Sequence, residues 1–242
     1  MASGAGPPAG EPALLLEGVE RRYGERPVLY GLNGALPAGA TLAVVGANGA
    51  GKTTLLRVLA GLLRPHAGRL RILGHELPGQ RHALRGRVGL LSHEPGLYRE
   101  LSLRENLRFH ARLHHVAADR VDALLERVGL EHRADEPVGE LSRGMVQRVA
   151  VCRCVLADPE LLLLDEPLAN LDPAAAQAVG QLIGTGARRE TDGLPRTRVL
   201  VSHDPAAALA EADWVLALRA GRPGELLPAR GLRPAELAEV YA

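Results

Sequence analysis

The sequence predicts an α/β fold with a helical subdomain inserted into its core and an antiparallel β region at the N-terminal end. Three observations carry this. Short apolar runs at 41–45, 88–91, 161–164 and 198–201 are bounded by turn residues and read as buried strands. Between the second and third of these, residues 102–156 switch to the helical period. Ahead of them, 13–19 alternates loosely, and 28–36 reads as a second strand broken by glycines.

In chain order, residues 1–12 are rich in Ala, Gly and Pro and lack a basic or apolar stretch, so they read as a disordered lead-in and not as a signal peptide. The 41–45 strand runs into a Gly-rich turn, then a helix over 54–60 closed by Gly61. Residues 68–74 form a strand framed by Gly68 and Gly74, and 88–91 stops at Ser92-His93-Glu94-Pro95-Gly96. Ser102-Leu103-Arg104-Glu105 is a capping box that opens a helix through His115. A second helix over 119–128 ends at Gly129, and a third over 143–156 breaks at Asp158-Pro159. After the 161–164 strand, 174–183 is helical and 184–196 is a polar loop. The expected organisation is one domain over 13–225, its helical subdomain at about 95–157, and a tail over 226–242.

A chain of 242 residues with 46% hydrophobic content can bury one large or two small cores. The net charge of +1 gives no field that would draw nucleic acid, and the arginine pairs at 21–22 and 188–189 read as solvated surface. No apolar run reaches the ~18 residues of a membrane span, so the chain is expected in the cytoplasm. Cys152 and Cys154 are two apart and diverge on a helix, which suits small buried apolar residues better than a metal site.

The most specific signal is chemical. Of the 29 lysines and arginines, 28 are Arg, and the single lysine, Lys52, lies in Gly46-Ala47-Asn48-Gly49-Ala50-Gly51-Lys52-Thr53. A chain that avoids lysine keeps one where a compact ammonium cannot be replaced by a planar guanidinium. The string follows a strand and fits the P-loop pattern, in which Gly46, Gly49 and Gly51 let backbone N–H groups turn toward phosphate oxygens. Lys52 then reaches the β- and γ-phosphates, Thr53 binds Mg²⁺, and Asn48, Ala50 and Thr54 complete the cradle. These residues make the core a P-loop nucleotide-binding unit.

Asp165 and Glu166 follow the 161–164 strand, where open α/β sheets place ligands beside such a loop. Asp165 suits the metal shell and Glu166 the attacking water. His203 lies just past the 198–201 strand, within reach of a γ-phosphate, and Asp172 precedes Pro173 as a helix cap that can also act at a subunit boundary.

Together these strings resemble the ATP-binding cassette family over about residues 13–225. Leu141-Ser142-Arg143-Gly144-Met145 resembles that family's LSGGQ signature, which implies that the N–H groups of Ser142 and Gly144 cap an ATP held by the opposite subunit. The resemblance places Tyr23 where an aromatic ring stacks on adenine. Arg143 and Met145 depart from the signature but leave the backbone role of Ser142 and Gly144 intact. Where the family has a Gln linking the γ-phosphate site to the membrane partner, Glu94 aligns first and His93 next; an ionised Glu94 binds Mg²⁺ but donates no hydrogen bond.

The strings Ser-His-Glu-Pro (92–95), Arg-Glu-Asn-Leu-Arg-Phe (104–109) and Leu-Ser-Arg-Gly-Met are similar to ATP-binding subunits related to the haem exporter of cytochrome c maturation, and to drug- and polysaccharide-type exporters. The resemblance implies a Mg²⁺-dependent ATPase on the inner face of the cell membrane, working as a homodimer or with a second nucleotide-binding subunit. It would energise a separate transmembrane permease docked near 94–104, with Leu97 and Tyr98 as anchors or as local packing. The rival reading is a soluble ATPase of the same fold acting on nucleic acid or in translation. The lack of a basic face, and of room for a second cassette, argues against it.

Overall fold

The computed structural model describes residues 10–233 apart from 203, 220 and 221. His203 and the greater part of the expected lead-in and tail lie outside the described residues. The chain opens with β1 (Leu14–Tyr23) and β2 (Arg26–Leu36), followed by β3 (Thr41–Val45), α1 (Lys52–Leu59), β4 (Ala67–Ile72), β5 (His75–Leu77) and β6 (Val88–Leu91). The helical block is α2 (Leu103–His114), α3 (Asp119–Arg127) and α4 (Arg143–Val155). The chain then returns through β7 (Leu161–Asp165), α5 (Pro173–Ile183), β8 (Thr197–Val201), α6 (Pro205–Glu211), β9 (Trp214–Ala217) and β10 (Pro223–Pro228).

The described strands form one sheet in the order β5-β4-β1-β2-β10-β9-β3-β8-β7-β6. The N-terminal half is antiparallel, as the sequence suggests: β1 lies between β2 and β4, and Tyr23 faces Arg26 at the hairpin end. The other half is parallel from β9 through β3, β8 and β7 to β6. Their side-chain alternation splits the core in two. Leu161, Leu163, Val199 and Val201 pack with α1, while Leu162, Leu164 and Leu200 pack with α4 and α5. Covering both faces of the parallel strands explains why those runs are continuously apolar.

The capping box forms as predicted: the Ser102 hydroxyl accepts from the Glu105 N–H, and Glu105 accepts from the Ser102 N–H at 2.8 Å. Helices α2, α3 and α4 share one apolar cluster, in which Cys152 and Cys154 are buried and their thiols are pushed up to about 12 by that burial. They are inert packing groups. The arginine pair at 188–189 is not simple solvated surface: the Arg189 guanidinium lies 3.2 Å from Glu160, which also pairs with Arg87. Likewise the buried Arg196 pairs with Asp158 at 2.5 Å. The boundary expected at 225 falls inside β10, which joins β2 and β9 and so carries the sheet beyond it. No helix of the described residues is long and apolar enough to cross a membrane.

Candidate functional site

β3 ends at the Gly-rich turn, and glycine is required there for steric reasons. Gly46 has φ +155°, and a Cβ added to it would lie 2.6 Å from the Leu218 carbonyl oxygen. Gly51 caps α1 in the left-handed region at φ +104°, where a Cβ would meet Val28 Cγ1 at 2.8 Å. The first α1 amide with an acceptor in its own helix is Leu55, which donates to the Gly51 carbonyl. The N–H groups of Lys52, Thr53 and Thr54 are therefore the open positive end of the helix.

Lys52 folds back across the turn, its Nζ donating to the carbonyls of Gly46 at 2.7 Å and Ala47 at 3.0 Å. Thr53 Oγ1 donates to Asp165 Oδ2 at 3.0 Å, tying the start of α1 to the end of β7. Burial pushes the Asp165 carboxyl above its ordinary value, while the Thr53 hydroxyl hydrogen bond pulls it back. Glu166 sits in the left-handed region at φ +48°, and its N–H donates to the Val201 carbonyl at 3.0 Å. That bond continues the β7–β8 ladder one residue further and turns Glu166 out of the sheet.

These groups surround a cavity of about 560 Å³. Lys52, Thr53, Thr54, Asp165, Glu166 and His93 form its inner wall, and Asn48, Gly49 and Gly51 form its floor. Tyr23, Arg26 and Val28 supply the outer wall from the hairpin. Tyr23 is 47% exposed, and the Arg21 guanidinium lies 5.1 Å from its ring centre. Gly46 and Ala50 belong to the turn but not to the cavity wall: Ala50 is buried beneath it, and Gly46 offers only its carbonyl to Lys52.

The structure brings His93, and not Glu94, into this wall. The Ser92 hydroxyl donates to the Glu94 carbonyl at 2.7 Å, closing a tight turn in which the two successive side chains splay apart, and the exposed Glu94 carboxylate lies outside. Ser142 caps α4 by accepting the Met145 N–H at 3.3 Å, and Gly144 packs so closely on Asn170 that a Cβ would lie 2.9 Å from its carbonyl oxygen. Neither lines the cavity of its own chain. Asp172 accepts the Ala175 N–H at 2.8 Å, so it is a helix cap with Pro173 behind it.

Sequence reasoning missed the groups that position these side chains. Gln147 Nε2 on α4 donates to the Pro167 carbonyl at 3.1 Å. Arg153, also on α4, donates to the carbonyls of Leu90 at 2.9 Å and Pro95 at 3.0 Å. The fully buried Asn106 accepts the Tyr98 N–H and donates to the carbonyls of Tyr98, Leu101 and Ser102. A buried amide must be hydrogen-bonded, and here the loop ahead of α2 supplies the partners; an Asn in the first turn after the cap is the one signal that could have flagged it. Of the two anchors, Leu97 packs against the helical cluster, whereas Tyr98 is 51% exposed and meets Phe109 edge-on at 5.4 Å. Leu97 also lines a second cleft of about 640 Å³ with Arg99, Leu141 and Arg143, and this cleft shares His93, Asp165 and Glu166 with the first.

The oxygen donors fit a hard cation. A hydroxyl and a partly desolvated carboxylate meet at one point, and the Lys52 ammonium is held by carbonyls instead of by that carboxylate. Among the described residues no three His, Cys, Asp or Glu side chains form a ready metal cluster, so a cation here would complete its shell from phosphate oxygens or water.

The sequence pattern of the ABC transporter family matches residues 29–169, which is more than half of the chain. The chain belongs to the ABC transporter family. It is 41% identical over 182 residues to a daunorubicin resistance ATP-binding protein, DrrA3, of Streptomyces coeruleorubidus, covering 72% of this chain and 58% of that one. It is 40% identical over 172 residues to a Nod factor export ATP-binding protein I of Ralstonia nicotianae, covering 69% and 54%. The chain thus spans a little over half the length of these two relatives. An aliphatic sulfonates import ATP-binding protein, SsuB 1, of Mesorhizobium japonicum is 40% identical over 218 residues, covering 88% and 78%. Among solved structures, an ATP-binding subunit of an ABC transporter superposes with a TM-score of 0.82 at 28% identity, covering 94% of this chain and 99% of that one. The cbiO1 protein of Clostridium perfringens, part of the cbiONQ complex, gives a TM-score of 0.72 at 27% identity, covering 95% and 91%. The mixed sheet and its helices are the ABC nucleotide-binding fold.

Proposed function

We propose that this ABC family chain binds and hydrolyses ATP with Mg²⁺ and so energises a transmembrane permease, as a peripheral subunit on the cytoplasmic face. The observation that carries this reading is the single lysine of the chain, held over a glycine turn whose cavity it shares with Asp165 and Glu166. Lys52 leaves the Gly46 and Ala47 carbonyls to meet the β- and γ-phosphates, and the open amides of Lys52, Thr53 and Thr54 face the same oxygens. Tyr23 stacks on the adenine. Thr53 and Asp165 hold Mg²⁺, which when bound neutralises charge on the phosphate oxygens. Glu166 accepts a proton from the attacking water, with His203 as its expected companion.

Ser142 and Gly144 lie away from their own cavity, which suits a head-to-tail pair of copies in which they cap the nucleotide of the other. The drug-resistance and Nod factor export relatives support an exporter with a drug-type cargo, and a haem-type cargo rests on the sequence strings at 92–95, 104–109 and 141–145. The test has two stages. The purified chain is assayed for ATP binding and turnover against Lys52→Ala, and an equal signal from both would overturn the site. It is then co-purified with candidate permeases, where ATP turnover stimulated by the permease and its cargo is the expected result.

A further inference from the structure

We propose that a small apolar molecule with an ammonium head binds in a cavity behind Glu166 and slows the turnover of the chain. The turnover half rests on the ATP reading above; the binding half does not. The cavity has a volume of about 270 Å³ and lies between α5, α6 and β8. Residues 166–169 form one wall, and the buried Ile183, Leu200 and Ala208 form an apolar floor. Leu200 packs with α5, on the face of the sheet away from α1, so the cavity is separate from the phosphate cradle. Among the described residues, Glu166 alone lines both this cavity and the nucleotide cavity.

Gly180, on the α5 wall, is the observation that points to a ligand. A Cβ added there meets nothing within 4 Å, and its φ lies outside the left-handed region. At Gly184, by contrast, a Cβ would lie 2.5 Å from the Gly180 carbonyl oxygen, so that glycine is sterically required. Nothing local requires one at 180, and glycine is a poor residue inside a helix. What its bare Cα preserves is the open volume, which a side chain would fill. An apolar cavity of about 150 Å³ holds benzene, so this one takes roughly ten to twelve heavy atoms, a body of two fused rings. Charge sets the head group. Asp204 and Glu211 join Glu166 around the cavity against a single guanidinium, Arg198, whose Nη2 already donates to Glu211 at 2.6 Å. Asp204 and Glu211 are more exposed than the floor, so the rim is net negative and selects a cation over an anion. A body seated against 166–169 bears on the segment that turns Glu166 out of the sheet at φ +48°, and so disturbs the base and not the cradle.

The probe is 1-naphthylmethylammonium, with 1-naphthylacetate as an anion of similar body. Calorimetric titration of the whole chain without nucleotide should give a Kd of about 0.1–1 mM for the cation and at least about fivefold weaker binding of the anion. Nuclear Overhauser contacts from the rings to the Ile183 and Leu200 methyls should locate the cation. Gly180→Leu, which fills the cavity with a better helix former, should remove the binding and keep ATP-analogue affinity within about twofold of wild type. Saturating cation should lower wild-type turnover at least about fivefold, leave analogue affinity unchanged, and have no effect on Gly180→Leu. Absent binding, contacts elsewhere, equal binding of the anion, or binding retained in a folded Gly180→Leu overturns the proposal; if that variant does not fold, the Overhauser contacts decide alone. Bound cation with unchanged turnover overturns the link to Glu166. A wild-type chain that turns over no ATP overturns the ATP reading and the turnover half with it, while the binding result stands.

Discussion

Replacing Lys52 is the sharpest test of the site, because the structure states what the side chain does before any nucleotide arrives. Its Nζ is one atom bound to two carbonyls, at 2.7 Å and 3.0 Å. In Lys52→Ala both carbonyls face the cavity and water takes over, so the loss is about 1 kcal/mol and the melting temperature falls by no more than about 2–4 °C. Nucleotide binding loses charge-assisted hydrogen bonds to phosphate, worth about 1.5–3 kcal/mol, or about a 10- to 150-fold weaker affinity. Lys52→Arg is more discriminating. A planar, bulkier guanidinium does not reproduce the geometry in which one compact ammonium reaches both carbonyls from inside the cradle. The affinity of the arginine variant should therefore fall at least about tenfold. Titration with a fluorescent ATP analogue, alongside a thermal melt, reads both quantities. An arginine variant that binds and turns over within about twofold of wild type would refute the argument from the lone lysine.

Glu166→Gln should bind ATP normally, lose turnover by at least about 10²-fold, and accumulate as an ATP-bound dimer on size exclusion; normal hydrolysis would pass the base role to His203. Glu94→Ala should leave analogue affinity within about twofold of wild type, because its carboxylate is outside the cavity; a tenfold loss would restore Glu94 to the metal shell. The histidines of α2 predict acid sensitivity. Burial, then the charge of Arg153 for His110 and of Arg85 for His114, holds both below their ordinary value of 6.5, with the Gly96 carbonyl partly opposing this at His110. The unfolded chain therefore binds more protons in this range, so stability is fully present above about pH 6.5 and declines as pH falls toward the folded values. Melting curves from pH 8 to pH 5 should show this, with a shallower decline in a His110→Asn, His114→Gln double variant; parallel curves would show that the two rings are not responsible.

The parts of the fold that could be read from sequence are those where one local pattern decides. The 161–164 run is buried on both faces, and Ser102 with Glu105 completes its own cap, so each carried its full signal in a few residues. The late elements gave no such signal. β9 is four residues long, and β10 is bounded by Pro223 and Pro228, residues that cannot donate to a ladder; their place between β2 and β3 depends on partners far away in the chain. The site divides in the same way. The cradle from Gly46 to Thr53 is contiguous and was legible, whereas the contest between His93 and Glu94 turned on which way a tight turn throws neighbouring side chains. Arg26 and Val28 reach the cavity only because the hairpin folds over it.

The pinning of the 92–101 loop has a mechanical consequence. From Pro95 onward the chain is tied to α2 and α4 through Arg153 and Asn106, while β6 belongs to the sheet. A pivot at this end would fall in residues 92–94, the stretch that neither side chain holds, and one of those residues faces the cavity. α2 lies beyond that pivot as a lever arm of about 18 Å, at 1.5 Å per residue. A tilt of about 10° there carries its far end roughly 3 Å, so a small shift beside the phosphates arrives enlarged at the outer surface. Arg153 grips a carbonyl on each side of that pivot, so any tilt lengthens one of its bonds against the other. Spin labels on α1 and at the end of α2 would report whether nucleotide changes this angle.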